Sequence, residues 1–232
     1  MRKFFNSFFI IGALLSTMMF ETSYATDLDV TVASRHMFRG TPQCDAIGLQ
    51  SSLTVPLVEN NLGATSFNLW GHVPITGTFS EIDFSLSQEL GDIGTISLVS
   101  QYYDGSMLEI DSHDIEVGLQ TNFAGIGVEL YRVVKSAEIE GNTYLELGYG
   151  VSDFDLFVGV GDGAYSDSGD FEAVNVGFTY EVGPPERPER GERPAPRWGD
   201  RPDFRAWGSG LAATFIYNPS TETPYFVVSK NW

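Results

Sequence analysis

Cysteine is almost missing from this chain. Cys44 stands alone, so no disulfide framework can form, and its distance from the amino-terminal residues leaves no lipid-anchored thiol to be expected. Histidine is scarce too, at three residues. His36, His72 and His113 are well separated in sequence, and an esterase or protease would need one beside a Ser or a paired Asp. The best local cluster is Asp111, Ser112, His113 and Asp114, an ordinary polar loop, and no enzyme, cofactor or metal is expected. Basic residues number 13 against 31 acidic ones, a net charge of −18. That field repels phosphates, so nucleic acid is excluded as a partner. Beyond the first 25 residues no apolar run approaches the ~20 residues of a transmembrane helix.

The opening stretch is the exception. Arg2 and Lys3, the apolar Phe4–Phe20 and the small-x-small Ser23-Tyr24-Ala25 predict a signal peptide over 1–25. The remaining 26–232 form one domain, exported to the bacterial outer membrane. In it, 25 Gly and 17 Phe sit in segments of alternating apolar and polar residues. Period two is the spacing of a strand with two unlike faces. In 82–87, Ile82, Phe84 and Leu86 alternate with Asp83, Ser85 and Ser87. In 114–120, Ile115, Val117 and Leu119 oppose Asp114, Glu116, Gly118 and Gln120.

The last stretch, Thr223–Trp232, puts Phe226, Val228, Lys230 and Trp232 on one face, Lys230 having to snorkel. A final strand with a terminal aromatic is how outer-membrane barrels end, and it is the strand the barrel-assembly machinery would engage. It must pair with the first strand, 28–38, because lipid cannot satisfy an open edge. Counting between them gives an all-β fold, a transmembrane antiparallel up-and-down barrel of twelve strands, with ten or fourteen as the alternatives. Most connections alternate long and short, as outer-membrane barrels require.

The first strand ends in Ser34-Arg35-His36-Met37-Phe38-Arg39-Gly40. This stretch resembles the opening of the TorF-like proteobacterial porins, in which a serine, a variable residue, an aromatic, an apolar residue and Phe-Arg-Gly close the first strand. His36 stands where that family usually has an aromatic. The resemblance implies an outer-membrane porin and continues as a strand pattern to the last residue.

The functional material is the face turned from lipid, where Arg or Lys at the midplane would cost about 2–4 kcal/mol. It carries Asp29, Glu81, Asp83, Asp114, Glu116, Glu129, Glu146, Asp155 and Glu181, opposed mainly by Arg35 and Arg39. The two arginines make either a constriction facing the acidic wall or an interior ion pair holding the first strand in register. Inward glycines such as 118, 159 and 161 leave room for a passage. A carboxylate-lined lumen prefers cations, so the expected function is passive diffusion of small solutes. The alternative is a filled, non-conducting barrel with a structural or partner-binding role.

One segment breaks the pattern. Residues 183–205, between the tenth and eleventh strands, hold six of the 11 prolines and six of the 13 basic residues. Such a stretch stays extended on the periplasmic side. Arg187, Arg190 and Arg193 recur every third residue and would line one edge of a polyproline II helix. They could contact cell wall, though exposed turns also tolerate such insertions without any function.

Overall fold

The computed structural model describes residues 27–76, 80–103, 110–182 and 211–231. The expected signal peptide 1–25, the 183–205 insertion and Trp232 lie outside them. In chain order the strands are β1 (Asp27–Ala33), β2 (His36–Phe38), β3 (Thr41–Cys44), β4 (Gly48–Asn60), β5 (Gly63–Pro74), β6 (Glu81–Glu89) and β7 (Thr95–Tyr102). They continue with β8 (His113–Phe123), β9 (Ile126–Lys135), β10 (Thr143–Val151), β11 (Phe154–Gly161), β12 (Glu172–Val182), β13 (Leu211–Asn218) and β14 (Thr223–Asn231). All but β2 and β3 belong to one closed barrel of twelve antiparallel strands, each paired with its neighbours along the chain.

The alternation read in the sequence becomes the two faces of the wall. In β8, Glu116, Gly118 and Gln120 are buried inside while Val117 and Leu119 are exposed outside. The same inversion runs around the barrel. Outward-facing Leu86 and Phe226 are 47% and 62% exposed, whereas inward-facing Glu81 and Glu116 are 2% and 1% exposed. Closure joins β1 to β14 through Thr31–Asn231, Val32–Lys230 and Ala33–Ser229. It puts Phe226 and Val228 on the outer face, and Val227 and Ser229 on the buried inner one.

The strands run alternately between two ends. At one end the chain reverses in tight turns at 61–62, 124–125 and 152–153, and in a short 3-10 turn at 91–93. At the other lie the longer connections, such as 136–142 and 162–171; these ends are called here the turn end and the loop end.

The first strand departs from expectation. It does not run from 28 to 38 but leaves the wall after Ala33. Ser34 caps the break: its N–H donates to the Val228 carbonyl (2.8 Å) and its Oγ accepts from the Val228 N–H (3.0 Å). The chain then turns inward as the separate β2–β3 hairpin. Its two turn residues, Arg39 and Gly40, both have left-handed backbones (φ 49° and 82°), the sense of a two-residue type I′ turn. Gly40 is demanded twice. Its φ disfavours a side chain, and a Cβ there would lie 2.2 Å from the Val174 carbonyl oxygen of β12. Asn218 Nδ2 donates to the Gly40 carbonyl (3.2 Å) and holds the tip to β13.

Gly40→Ala is therefore expected to dislodge the hairpin without opening the wall. Cys44, half-buried at the base of β3, reports this. Its labelling by a thiol reagent should speed up, while the folded barrel keeps its heat-modifiable gel mobility. Unchanged labelling would mean that the tip tolerates the collision.

Candidate functional site: a polar lumen crossed by a hairpin

The hairpin carries a guanidinium and an imidazole into the barrel, and the wall is built to receive both. Arg39 is 4% exposed. Its two terminal nitrogens donate to the two oxygens of Glu116 on β8 at 2.5 and 2.7 Å. This paired fork is the strongest geometry a guanidinium has with a carboxylate. Nη1 also donates to the Tyr165 hydroxyl, which in turn donates to Glu116 Oε1 (2.9 Å). Burial raises the pKa of the Tyr165 phenol, which keeps it a donor. Four rings surround the cation: Phe38 and Tyr131 at 4.5 Å, Tyr144 at 5.0 Å and Tyr165 at 5.1 Å from the guanidinium carbon. Each is within cation–π range.

The tyrosines can lie there because the inward glycines make room for them. A Cβ at Gly118 would come within 2.7 Å of the Tyr131 ring, and one at Gly159 would strike the Tyr144 hydroxyl at 2.2 Å. At these two positions glycine serves the packing of large neighbours instead of widening the lumen.

The imidazole is that of His36. It lies over a row of inward residues that the register aligns across four strands, Thr31, Gln50, His72 and Glu81. His36 Nε2 is 2.7 Å from Glu81 Oε2, and Gln50 Nε2 lies 3.3 Å from its Nδ1. Its ring stacks on His72 at 4.6 Å between centroids. Between the two anchors, Met37 packs on Ile216 and Val227 of β13 and β14, flanked by Phe157 and Tyr225. This is a small apolar layer inside the lumen, and a second one gathers Val174 and Phe38 with Tyr131, Tyr144 and Tyr165.

Beneath the hairpin a cavity of about 80 Å³ remains. Its lining includes the carboxyl groups of Asp83, Glu116, Glu129 and Glu146 and one guanidinium, that of Arg39. Amides, hydroxyls and aromatic faces (Gln101, Gln120, Ser97, Trp70) complete it. Glu146 accepts from the Tyr144 hydroxyl (2.6 Å) and from Asn175 Nδ2 (3.1 Å). The Tyr131 hydroxyl donates to Glu129 (3.2 Å).

Of the residues singled out from the sequence, Arg39, Asp83, Glu116, Glu129 and Glu146 thus meet around one space. Glu81 is buried against His36 instead. Asp114 pairs in register with the buried Gln101, on the inner face toward the loop end. Asp29 and Asp155 belong to the same face near the turn end, opposite Ser52 and Thr179 respectively. Glu181 is opposite Ala212.

Arg35 is a correction. It pairs with exposed Asp45 (3.0 Å) and lies over the Tyr225 ring, at the loop-end mouth and outside the cavity lining. The two arginines therefore do not act together: one is a mouth residue and the other an interior ion pair. Asp111 and His113 also part company. Asp111 accepts from Lys135 (2.7 Å), a hydrogen bond and charge that hold its carboxyl below the usual range, while His113 Nδ1 meets Ser100 Oγ (2.8 Å).

Tyr165 is the residue that sequence reasoning missed. It belongs to the 162–170 stretch, which reads as a solvated loop, yet its side chain is buried. Tyr131 and Tyr144 could have been found, since strict alternation from Glu129 and Glu146 puts them on the inner face. No family model matches the chain, nor does any curated protein or solved structure.

Proposed function

We propose that this chain is an outer-membrane barrel whose lumen passes small cationic or neutral solutes, with the β2–β3 hairpin as its constriction. The observation that carries the reading is the inverted wall, with large apolar side chains exposed all round the outside and carboxyl groups, amides and histidines buried within. Water-soluble barrels have the opposite arrangement. A lipid surround gives both faces a suitable partner, and a closed ladder leaves no backbone edge in the hydrocarbon. Cation preference follows from four carboxyl groups against one guanidinium around the cavity, since fixed charge of one sign selects the other.

Refolded protein in a planar bilayer tests this. Reversal potentials across a salt gradient should show cation preference. It should fade as salt rises from about 0.1 M to 1 M, where the screening length falls from ~10 to ~3 Å. Asp83→Asn with Glu129→Gln should weaken it. The hairpin favours a second reading, a barrel filled by its own loop that conducts nothing and presents that loop to a partner. A silent bilayer with correctly folded protein would decide for it.

A further inference from the structure

The groups around Arg39 form a receptor, and most of them do not travel with the arginine. Glu116 comes from β8, Tyr131 from β9, Tyr144 from β10 and Tyr165 from the connection after β11, whereas the hairpin brings only Phe38 and the guanidinium itself. We propose that this wall site binds small guanidinium cations, and that Arg39 occupies it as a tethered ligand.

Three observations support that assignment. The carboxylate meets both ends of the fork, which a planar guanidinium can exploit and an ammonium cannot. The three tyrosines offer their faces to a cation, the arrangement used to hold organic cations out of water. Glu116, Tyr131 and Tyr144 also line the cavity beneath, so a solute in the lumen reaches the site without passing through the wall. The tethered ligand is held at a cost, because Arg39 has a left-handed backbone that side chains rarely adopt. A free cation carries no such strain and competes with the hairpin for the same carboxylate. Asp83, Glu129 and Glu146 nearby raise the local concentration of any cation.

The inference rests on the channel reading only for how the solute arrives, so binding and conductance are measured separately. Full-length refolded Arg39→Ala is titrated calorimetrically with methylguanidinium and, in parallel, with methylammonium, which has the charge but not the fork. Saturable binding of methylguanidinium is expected, roughly tenfold tighter than methylammonium, and lost in Arg39→Ala with Glu116→Gln. The wild type should bind it more weakly, because Arg39 competes.

A second measurement needs no variant. Methylguanidinium, but not methylammonium, should accelerate thiol labelling of wild-type Cys44 as the hairpin is displaced. Equal binding of the two cations, or none in a folded Arg39→Ala barrel, overturns the proposal. If that variant does not fold, the wild-type labelling decides alone, and equal acceleration or none overturns it. Binding without conductance would sink the channel reading and leave this site standing; conductance without binding would do the reverse.

Discussion

Replacing Glu116 by alanine is expected to release the hairpin and raise the conductance of the barrel. The substitution removes both acceptors of the Arg39 fork and leaves a guanidinium that is 4% exposed without its counter-charge. Breaking a buried pair from one side costs about 3–5 kcal/mol, because the stranded ion loses its partner while still out of water. The four rings around the guanidinium do not offset this, since their cation–π contacts already act in the native state and gain nothing when the carboxylate is removed. Moving Arg39 toward water relieves the penalty, and the β2–β3 hairpin must move with it. Faster Cys44 labelling and a larger open-channel current should therefore appear together.

The double variant Arg39→Met with Glu116→Leu separates charge from packing. A buried pair replaced by apolar residues of similar volume is often neutral or stabilising, so the hairpin should stay docked and the current low. If the single and double variants leak alike, the hairpin is held by shape and not by the ion pair.

How far the sequence foretold this arrangement depends on the range of the interaction. The wall was legible because its signal is local. Each strand turns apolar side chains outward and polar ones inward, so alternation such as Glu116-Val117-Gly118-Leu119 reports its orientation directly. Closure was legible for the same reason: a terminal strand with Phe226 and Val228 on one face needs a partner, and β1 is its only neighbour left. The hairpin was not. Arg35 to Phe38 continues the first strand without a visible break, and nothing nearby distinguishes a strand in the wall from one crossing the lumen. What separates them is Ser34 capping the ladder at Val228 and Arg39 finding Glu116, contacts 194 and 77 residues apart.

Tyr165 escaped notice by the same logic, its burial being set by Arg39 and not by the serines and aspartates beside it. Arg132 is a milder case. Alternation aims it outward, and it is indeed exposed, bonded to Thr143 Oγ1 (2.9 Å). The irregularity lies just beyond it, where the β8–β9 register shifts between Val133 and Lys135. The family resemblance marked Phe38-Arg39-Gly40 as the end of a strand, and in the fold these residues form the tip of the hairpin.

Excising the hairpin should produce the largest functional change of all. Ala33 and Gly48 are already register partners across β1 and β4, so the wall ladder does not need the residues between them. Replacing 35–46 by Asn-Gly joins Ser34 to Ile47 through a two-residue turn of the type that suits antiparallel strands. The twelve wall strands keep their pairing. The variant loses the Met37 contacts with Ile216 and Val227, a modest apolar area in a lumen that water then fills. It also loses both basic partners of the interior acids, His36 from Glu81 and Arg39 from Glu116. Two effects should therefore rise together: conductance several-fold, because the crossing obstruction is gone, and cation preference, because Glu81 and Glu116 now face water beside Asp83 and Glu146. The expected record is a larger, steadier current with a reversal potential shifted further toward the cation limit, and that shift should shrink in 1 M salt. A variant that folds but conducts no more than wild type would place the barrier elsewhere in the lumen. A larger current with unchanged selectivity would show that the carboxyl groups of this lumen do not choose the ion.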